Sequence, residues 1–492
     1  MHKKLTKLLN LHVYPASIQT SADTTYFLAR DGRDKLVGAV GMNELDGKNS
    51  GELDGKSVTV GPTSHKNAQA IRRALPWTAP KLLGLSTSIG LGDRLGLATP
   101  GHIQAVRAEG NGSVTAILAQ QSIREMFRTR RTADQVMDCA TWGVLQEGYT
   151  DGFGSDADHL QQLEDIDVTA AAGFTMFTVD PGLHVNDDAD NMDTPALNDK
   201  YVEIDFETLE VSADELKSNY VGKTFALDGG SEIVFDEITF ARAAVKYGNA
   251  VAHTVRMYRH LQKLRGDDFE LEVSVDETQS PTSGPEHYFF AAELKRLGVK
   301  WVSMAPRFVG EFEKGVDYIG DLDVFRASFA EHAAIMRTLG PYKISIHSGS
   351  DKFSIYPIVA ELTGGMMHLK TAGTSYLEAL RAISNISPEL FREILDFSRE
   401  RYETDRATYH VSAQLAKVPS AASLTDDQLG GLLDDFDARE VLHVTFGSVL
   451  TADNCTGKRF RPRFYEALET QEEKYYDVLR HHLGRHAAPM AK

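Results

Sequence analysis

The residues able to do chemistry in this chain sit at the ends of alternating segments. Residues 342–352, YKISIHSGSDK, place Ile344 and Ile346 on one side and Lys343, Ser345 and His347 on the other. A strand has period two, so one face is apolar and one polar. A polar inward face is costly in an ordinary core and makes sense where strands line a site. Residues 271–277, LEVSVDE, have the same form, with Ser274 and Asp276 in the places of Ser345 and His347. Residues 367–373 (MHLKTAG) and 442–447 (LHVTFG) are variations on it. Taken as a ring, the strand ends present Ser122, Asp180, Asp276, His347 and Lys370, with Glu125, Asp156, Asp158 and His159 on adjoining loops.

Carboxylates and imidazoles without thiolates suit a divalent ion such as Zn, Mn, Co or Ni. The ligand candidates are His159, His347, His368 and either Glu272 or Asp276. Each has a plainer reading. The run Asp156-Ala-Asp-His159 also fits a solvated helix cap. His368 lies a residue pair deeper than Lys370 and fits a core histidine. Glu272 shares a face with Asp276 but lies about 13 Å of rise from the strand end. His443 is deeper still and reads as structural. Lys370 is either a Schiff-base lysine or an ammonium holding a carboxylate or phosphate, helped by backbone donors of residues 371–375. Arg124, Arg128, Arg130 and Arg131 form a cationic run, at least two of them a helix surface. Glu125 among them stays ionised and can act as a base.

The chain that must position these groups has 492 residues, 42% hydrophobic and 25% charged, enough for one large domain with embellishments or for two domains. Its formal charge of -18 argues against nucleic-acid binding and against docking on anionic lipid, both of which need clustered cations. Cys139 and Cys455 are the two cysteines and form no C-x-x-C, so neither a disulfide framework nor a thiolate zinc site is implied. No apolar stretch of signal or membrane-spanning kind follows the basic N-terminus. The expected compartment is reducing and cytoplasmic.

Residues 1–80 read as a small α/β extension: strands at 25–28 and 36–40, a Gly/Asp/Asn-rich loop over 43–56, and a helix over 68–75 stopped by Pro76. From residue 81 strands alternate with helices. Strands are predicted at 85–90, 113–122, 174–181, 269–277, 299–307, 342–347, 366–371 and 441–447. Residues 149–159 read as a loop, with Asp156 or Asp158 capping the next helix. Residues 182–268 interrupt the alternation as an insertion between strands three and four. It holds strand-like pieces at 202–206 and 231–235 and a long helix from 236 to 263. Eight strands favour a closed (β/α)8 TIM barrel, whose active site sits at the strand C-termini. No G-x-G-x-x-G or P-loop follows a strand, so no nucleotide cofactor is expected.

Several long motifs occur in order: residues 92–100 (GDRLGLATP), 119–125 (AQQSIRE), 140–149 (ATWGVLQEGY), 156–159 (DADH), 272–278 (EVSVDET), 343–353 (KISIHSGSDKF), 370–378 (KTAGTSYLE) and 443–449 (HVTFGSV). Together they resemble the tagaturonate/fructuronate epimerases of bacterial hexuronate catabolism. The likeness runs from about residue 83 to the C-terminus, and the first eighty residues match only loosely. The resemblance implies a metal-dependent barrel enzyme interconverting D-fructuronate and D-tagaturonate. The inverted carbon is β to the ketone, where simple enolisation gives no acidity. Retro-aldol cleavage and re-addition is then the favoured route, with direct deprotonation at that carbon as the other. In that scheme a metal on His159, Glu272, His347 and His368 polarises the ketone and its neighbouring hydroxyl. Glu125 and Asp276 shuttle the hydroxyl proton. Gln121, Ser122, Arg124, Asp158, Asp351, Lys352 and Lys370 bind substrate, with Lys370 and Arg124 on its carboxylate. A Schiff base at Lys370 is the metal-free alternative. A metal-dependent aldolase acting on keto sugar acids is the nearest rival, followed by a non-catalytic sugar-acid sensor and, last, a structural role.

Overall fold

In the computed structural model, which describes residues 1–454 and 457–491, eight parallel strands close into a barrel. They are β1 (Ser88–Gly90), β2 (Thr115–Ser122), β3 (Gly154–Leu160), β4 (Met176–Val179), β5 (Glu270–Ser274), β6 (Ser303–Ala305), β7 (Lys343–Ile346) and β8 (Met367–Lys370). Neighbours follow chain order, and β8 closes on β1 through His368–Ser88 and Lys370–Gly90. Cys455 lies outside the described residues.

The predicted count of eight is right, but two members change. Residues 154–160 are a strand, and its two aspartates do not cap a helix. Asp156 and Asp158 face the barrel interior, where the Lys370 ammonium meets each at 2.7 Å. That pairing, invisible in the local pattern, makes an acidic strand buriable. The helix after it (Leu163–Ala171) is capped by Gln162. Residues 441–447 are helical, in α5 (Phe436–Val444) and α6 (Phe446–Thr451). Here the β-branched run yields to an N-cap: Asp435 accepts the Ala438 N–H and starts the helix.

With β3 counted, the insertion lies between strands four and five, not three and four. It holds two short helices, a hairpin (Lys223–Ala226 with Glu232–Phe235) and the long helix α4 (Glu237–Arg265). Residues 202–206 form no strand. Among the described residues no helix is long and apolar enough to cross a membrane.

The N-terminal residues form an antiparallel sheet in the order His12–Val13, Thr24–Asp31, Asp34–Val40, Lys56–Pro62, Lys48–Leu53, with Gln19–Ser21 pairing on Thr24–Asp31. The last strand in that order corrects the loop expected over 43–56. A helix, His65–Ala74, follows. The sheet and its helix are tied to the barrel wall by apolar packing and by ion pairs, among them Asp138 with His65 at 2.9 Å and Arg72 at 3.0 Å. Tyr14, Leu28, Ile71 and Leu75 pack with Trp142 and Leu145 of α3 (Ala133–Glu147). Glu472, which opens α7 (Glu472–Ala487), accepts from Tyr14 Oη at 2.7 Å and pairs with Arg30 at 3.2 Å and Lys35 at 3.4 Å.

Candidate active site

A depression at the C-terminal ends of the strands has a larger lobe of about 270 Å³ and a smaller, deeper one of about 50 Å³. Both are bounded by Arg124, Asp276, Lys314, His347, Ser348 and Tyr409. The smaller lobe adds Arg94, Ser122, Glu125, Asp158, His159, Gly373 and His443. This is the end of the barrel where chemistry is expected.

Two histidines face each other across the deeper lobe. His347 Nδ1 and His159 Nε2 are 3.4 Å apart. The other nitrogen of each ring is committed: His347 Nε2 to Glu272 Oε1 at 2.5 Å, and His159 Nδ1 to Asp180 Oδ2 at 3.1 Å. A carboxylate holding the far N–H of an imidazole fixes its tautomer and frees the near nitrogen as a ligand. Tetrahedral ligation at about 2.0–2.1 Å sets two nitrogens about 3.4 Å apart, the spacing seen. Asp158 completes a group of three whose ligand atoms lie within 4.8 Å of one another. Asp276 Oδ1 is 3.3 Å from His347 Nδ1. The donor set therefore fits a divalent ion.

Backbone geometry explains how Asp158 and His159, adjacent in sequence, both reach the lobe. The register between β3 and β4 shifts opposite Phe177 and Val179, and His159 has φ of 52°. A bulge of this kind breaks the alternation and turns two successive side chains to one face. Burial alone would lower the His159 pKa, but the neighbouring Asp158 carboxylate and the Asp180 hydrogen bond outweigh it and push it up to about 10.

Of the four residues expected to ligate, the structure brings His159 and His347 together and leaves two elsewhere. Glu272 lies below them, on the outer nitrogen of His347 and 2.7 Å from Lys370 Nζ. His368 lies in the barrel interior, its Nδ1 3.0 Å from Ser88 Oγ, and burial pushes its pKa down to about 3. Asp158, expected at the substrate, stands with His159 and His347 in the group of three that could hold an ion.

Lys370 is enclosed. Its ammonium sits 2.7 Å from each of Asp156, Asp158 and Glu272 and donates to Thr178 Oγ1 at 2.8 Å. Burial would lower its pKa, but three carboxylates raise it well above the ordinary value. An ammonium so held is neither a free amine for a Schiff base nor a free cation for a substrate carboxylate; both expectations give way to a counter-ion role. Asp156, fully buried, is raised by burial to about 6.

Glu125 and Asp276 both line the deeper lobe. Glu125 sits in the first turn of α2 (Ile123–Thr129), capped by Ser122 Oγ, which accepts its N–H at 3.1 Å. Arg94 approaches one carboxylate oxygen at 2.6 Å and Gln121 donates to the other at 2.9 Å. Gln121 thus orients Glu125 and is itself absent from the lining. Asp276 accepts from Ser274 Oγ. Burial opposes ionisation there, but His347 and His159 hold its carboxyl well below the ordinary range.

Arg124 lines both lobes, paired with Glu277 at 2.9 Å. Asp351 and Lys352 do not reach them. Asp351 is buried on Arg439 at 2.9 Å and His482 at 2.5 Å, and its N–H donates to His486. This Asp-His-His group could ligate an ion by spacing, yet His482 faces Asp351 and Glu378 with its two nitrogens. It ties α7 to the turn after β7. Lys352 donates to the carbonyls of Glu313, Val316 and Ser350.

Sequence reasoning missed Arg94, Lys314, Tyr409 and His443 at the pocket. Arg94 was visible inside the GDRLG motif, whose Asp93 accepts the N–H groups of Leu95, Gly96 and Ala98 and so shapes the turn. His443 was misplaced on a strand; on α5 it comes 3.3 Å from Arg94 Nη2. Lys314 and Tyr409 lie on irregular loops with no local signal.

A family model described as "UxaE: tagaturonate epimerase" matches residues 14–490. The chain is 42% identical over 477 residues, 96% of both sequences, to the tagaturonate/fructuronate epimerase of Thermotoga maritima. Its fold matches the native crystal structure of the fructuronate-tagaturonate epimerase UxaE from Cohnella laeviribosi, with a TM-score of 0.92 and 38% identity over 99% of each chain. The glycerol-complexed crystal structure of that protein matches equally well. Agreement of this length in both sequence and barrel places the chain in the tagaturonate epimerase family, a family of carbohydrate-epimerising isomerases.

Proposed function

We propose that the protein is a cytoplasmic, metal-dependent epimerase that interconverts D-fructuronate and D-tagaturonate. The observation that carries this reading is the 42% identity, over 96% of both chains, to a relative bearing that name. The metal part rests on the facing nitrogens of His159 and His347. Asp158, His159 and His347 would hold the ion, and their N and O donors suit Zn, Ni, Co or Mn. When bound, such an ion supplies Lewis acidity to the ketone and its neighbouring hydroxyl.

The remaining chemistry falls to the side chains. Carbon 4 is β to the ketone, so the proton removed is that of its hydroxyl, as the bond between carbons 3 and 4 breaks. Asp276 and Glu125 are the two pocket carboxylates in this reading: one takes the hydroxyl proton, and the other returns it after the aldehyde turns over and the bond re-forms on its opposite face. Arg94 and Gln121 hold Glu125 for this task, and Ser274 holds Asp276. Lys370 keeps Asp158 charged and in place. Residues 1–80 form an extension in this reading, and residues 81–492, with the insertion at 182–268, the catalytic barrel.

The test is to supply D-fructuronate and D-tagaturonate separately and follow both by NMR. Convergence on one mixture of the two supports the reading. Accumulation of a three-carbon fragment would instead indicate an aldolase, the less favoured alternative, and binding without turnover a sensor.

A further inference from the structure

We propose that Lys314 is the residue that recognises the terminal carboxylate of the sugar acid and selects it over the neutral sugar. This deepens the function proposed above and rests on it.

A sugar-acid anion needs a cation whose charge is not already matched. Arg94 is closed by Glu125 at 2.6 Å, Arg124 by Glu277 at 2.9 Å, and His410 by Glu311 at 2.7 Å. Arg307 donates to the Thr278 carbonyl and approaches Glu311 at 3.9 Å. Lys314 differs from all of these. Among the described residues no carboxylate stands within ion-pair distance of it, although its charge reaches the Glu277 carboxylate already held by Arg124; its Nζ donates to Ser348 Oγ at 2.7 Å. An ammonium has three donors, so two remain for a carboxylate. Lys314 and Ser348 bound both lobes, and Ser348 follows His347 directly. A carboxylate on Lys314 therefore lies in the same lobe as Asp158, His159 and His347.

The turn that carries Lys314 is held from behind. Lys352 Nζ donates to Glu313 O at 2.7 Å and Val316 O at 2.5 Å, and Arg439 Nε donates to Gly315 O at 2.6 Å. Both cations are buried, and their donors flank Lys314 on either side. Gly315 has φ of 76°, and a Cβ there would meet Leu377 at 3.0 Å and His443 at 3.1 Å. The backbone of Lys314 is thus set before substrate arrives, which lowers the ordering cost of the contact.

The experiment is calorimetric binding of D-fructuronate and of neutral D-fructose to the metal-loaded wild type, K314M and K314R, with turnover measured in parallel. K314M is expected to weaken D-fructuronate binding on the order of 10²-fold and D-fructose far less, so that the ratio of the two dissociation constants collapses. K314R is expected to recover most of it. Raising ionic strength should weaken the wild type's hold on the acid more than on the neutral sugar, a readout that needs no variant. K314M binding the acid within about threefold of wild type, or losing both sugars equally, overturns the proposal. If the wild type binds the acid without converting it, the epimerase reading falls while the binding comparison still decides Lys314. If it binds neither sugar, both are overturned.

Discussion

Single side chains at this site are defined by which of their atoms are already committed. His159 and His347 each have their outer nitrogen on a carboxylate and their inner nitrogen turned to the other ring, where His347 Nδ1 also meets Ser274 Oγ at 3.1 Å and Asp276 at 3.3 Å. Replacing Asp180 with Asn keeps the shape but lets the amide turn either atom to His159, so the tautomer is no longer enforced. Metal affinity should fall about 10- to 100-fold, read by competition with a chelator, with the fold intact by circular dichroism. Lys370 gives a second prediction. With three carboxylates around it, its amine stays protonated and forms no imine. Cyanoborohydride, which reduces an imine but spares a ketone near neutral pH, should leave activity unchanged when added during turnover and add no substrate mass to the protein. A mass increment at Lys370 would restore the Schiff-base route. The residue types at the site were legible in the sequence, since His159, His347, Asp158, Asp276 and Glu125 all stood out. Their roles were less so. Strand depth alone cannot say that Glu272 meets the outer nitrogen of His347 rather than an ion.

Elements place these residues, and here the local pattern failed at instructive points. Strand parity separates Asp158 from His159, but the bulge in β3 brings both to one face. Nothing in a single sequence marks that bulge, because it is a property of the β3–β4 register. Likewise the β-branched run at 441–447 was overruled by the Asp435 cap of α5. A pH effect belongs to this scale. Glu440 on α5 shares a hydrogen bond with Glu313, and both accept the Ser412 N–H at 3.1 Å, just beyond Tyr409 and His410 at the pocket rim. Burial and the Glu313 carboxylate raise the Glu440 pKa to about 8, against 4.5 ordinarily. The folded protein keeps this proton to higher pH than the unfolded chain. Its contribution to stability is therefore full below about pH 4.5 and lost as pH rises through about 8. E440Q mimics the protonated form. Its melting temperature should match wild type at pH 5 and exceed it at pH 9. Equal melting temperatures at both pH values would contradict the shared proton.

At the scale of the molecule, the closed barrel was legible because segments of strand pattern alternate with helices about eight times, even though 441–447 is helical and 154–160 supplies the strand in its place. What encloses the barrel interior was not. That interior is ionic, held by Lys370 with Asp156 and Glu272, and each group is buriable only because the others are there. The N-terminal sheet joins through one buried carboxylate, Glu472, which meets Tyr14, Arg30 and Lys35. E472A should destabilise the protein by about 3 kcal/mol by leaving those cations unpaired, measured by chemical denaturation. No change would mean that the Trp142–Leu145 packing and the Asp138 pairs with His65 and Arg72 hold the sheet in place without Glu472.

The central claim of the proposed function is that Asp158, His159 and His347 would hold a divalent ion needed for activity, and that carbon 4 is inverted by breaking and re-forming the bond between carbons 3 and 4. The measurement is conversion of D-fructuronate by chelator-stripped protein in deuterated water, with and without added divalent metal, followed by NMR. The account predicts D-tagaturonate only when metal is present, with no deuterium on carbon 4. Full activity after rigorous metal removal would contradict the metal site, and deuterium on carbon 4 would contradict the bond-breaking route in favour of direct proton exchange.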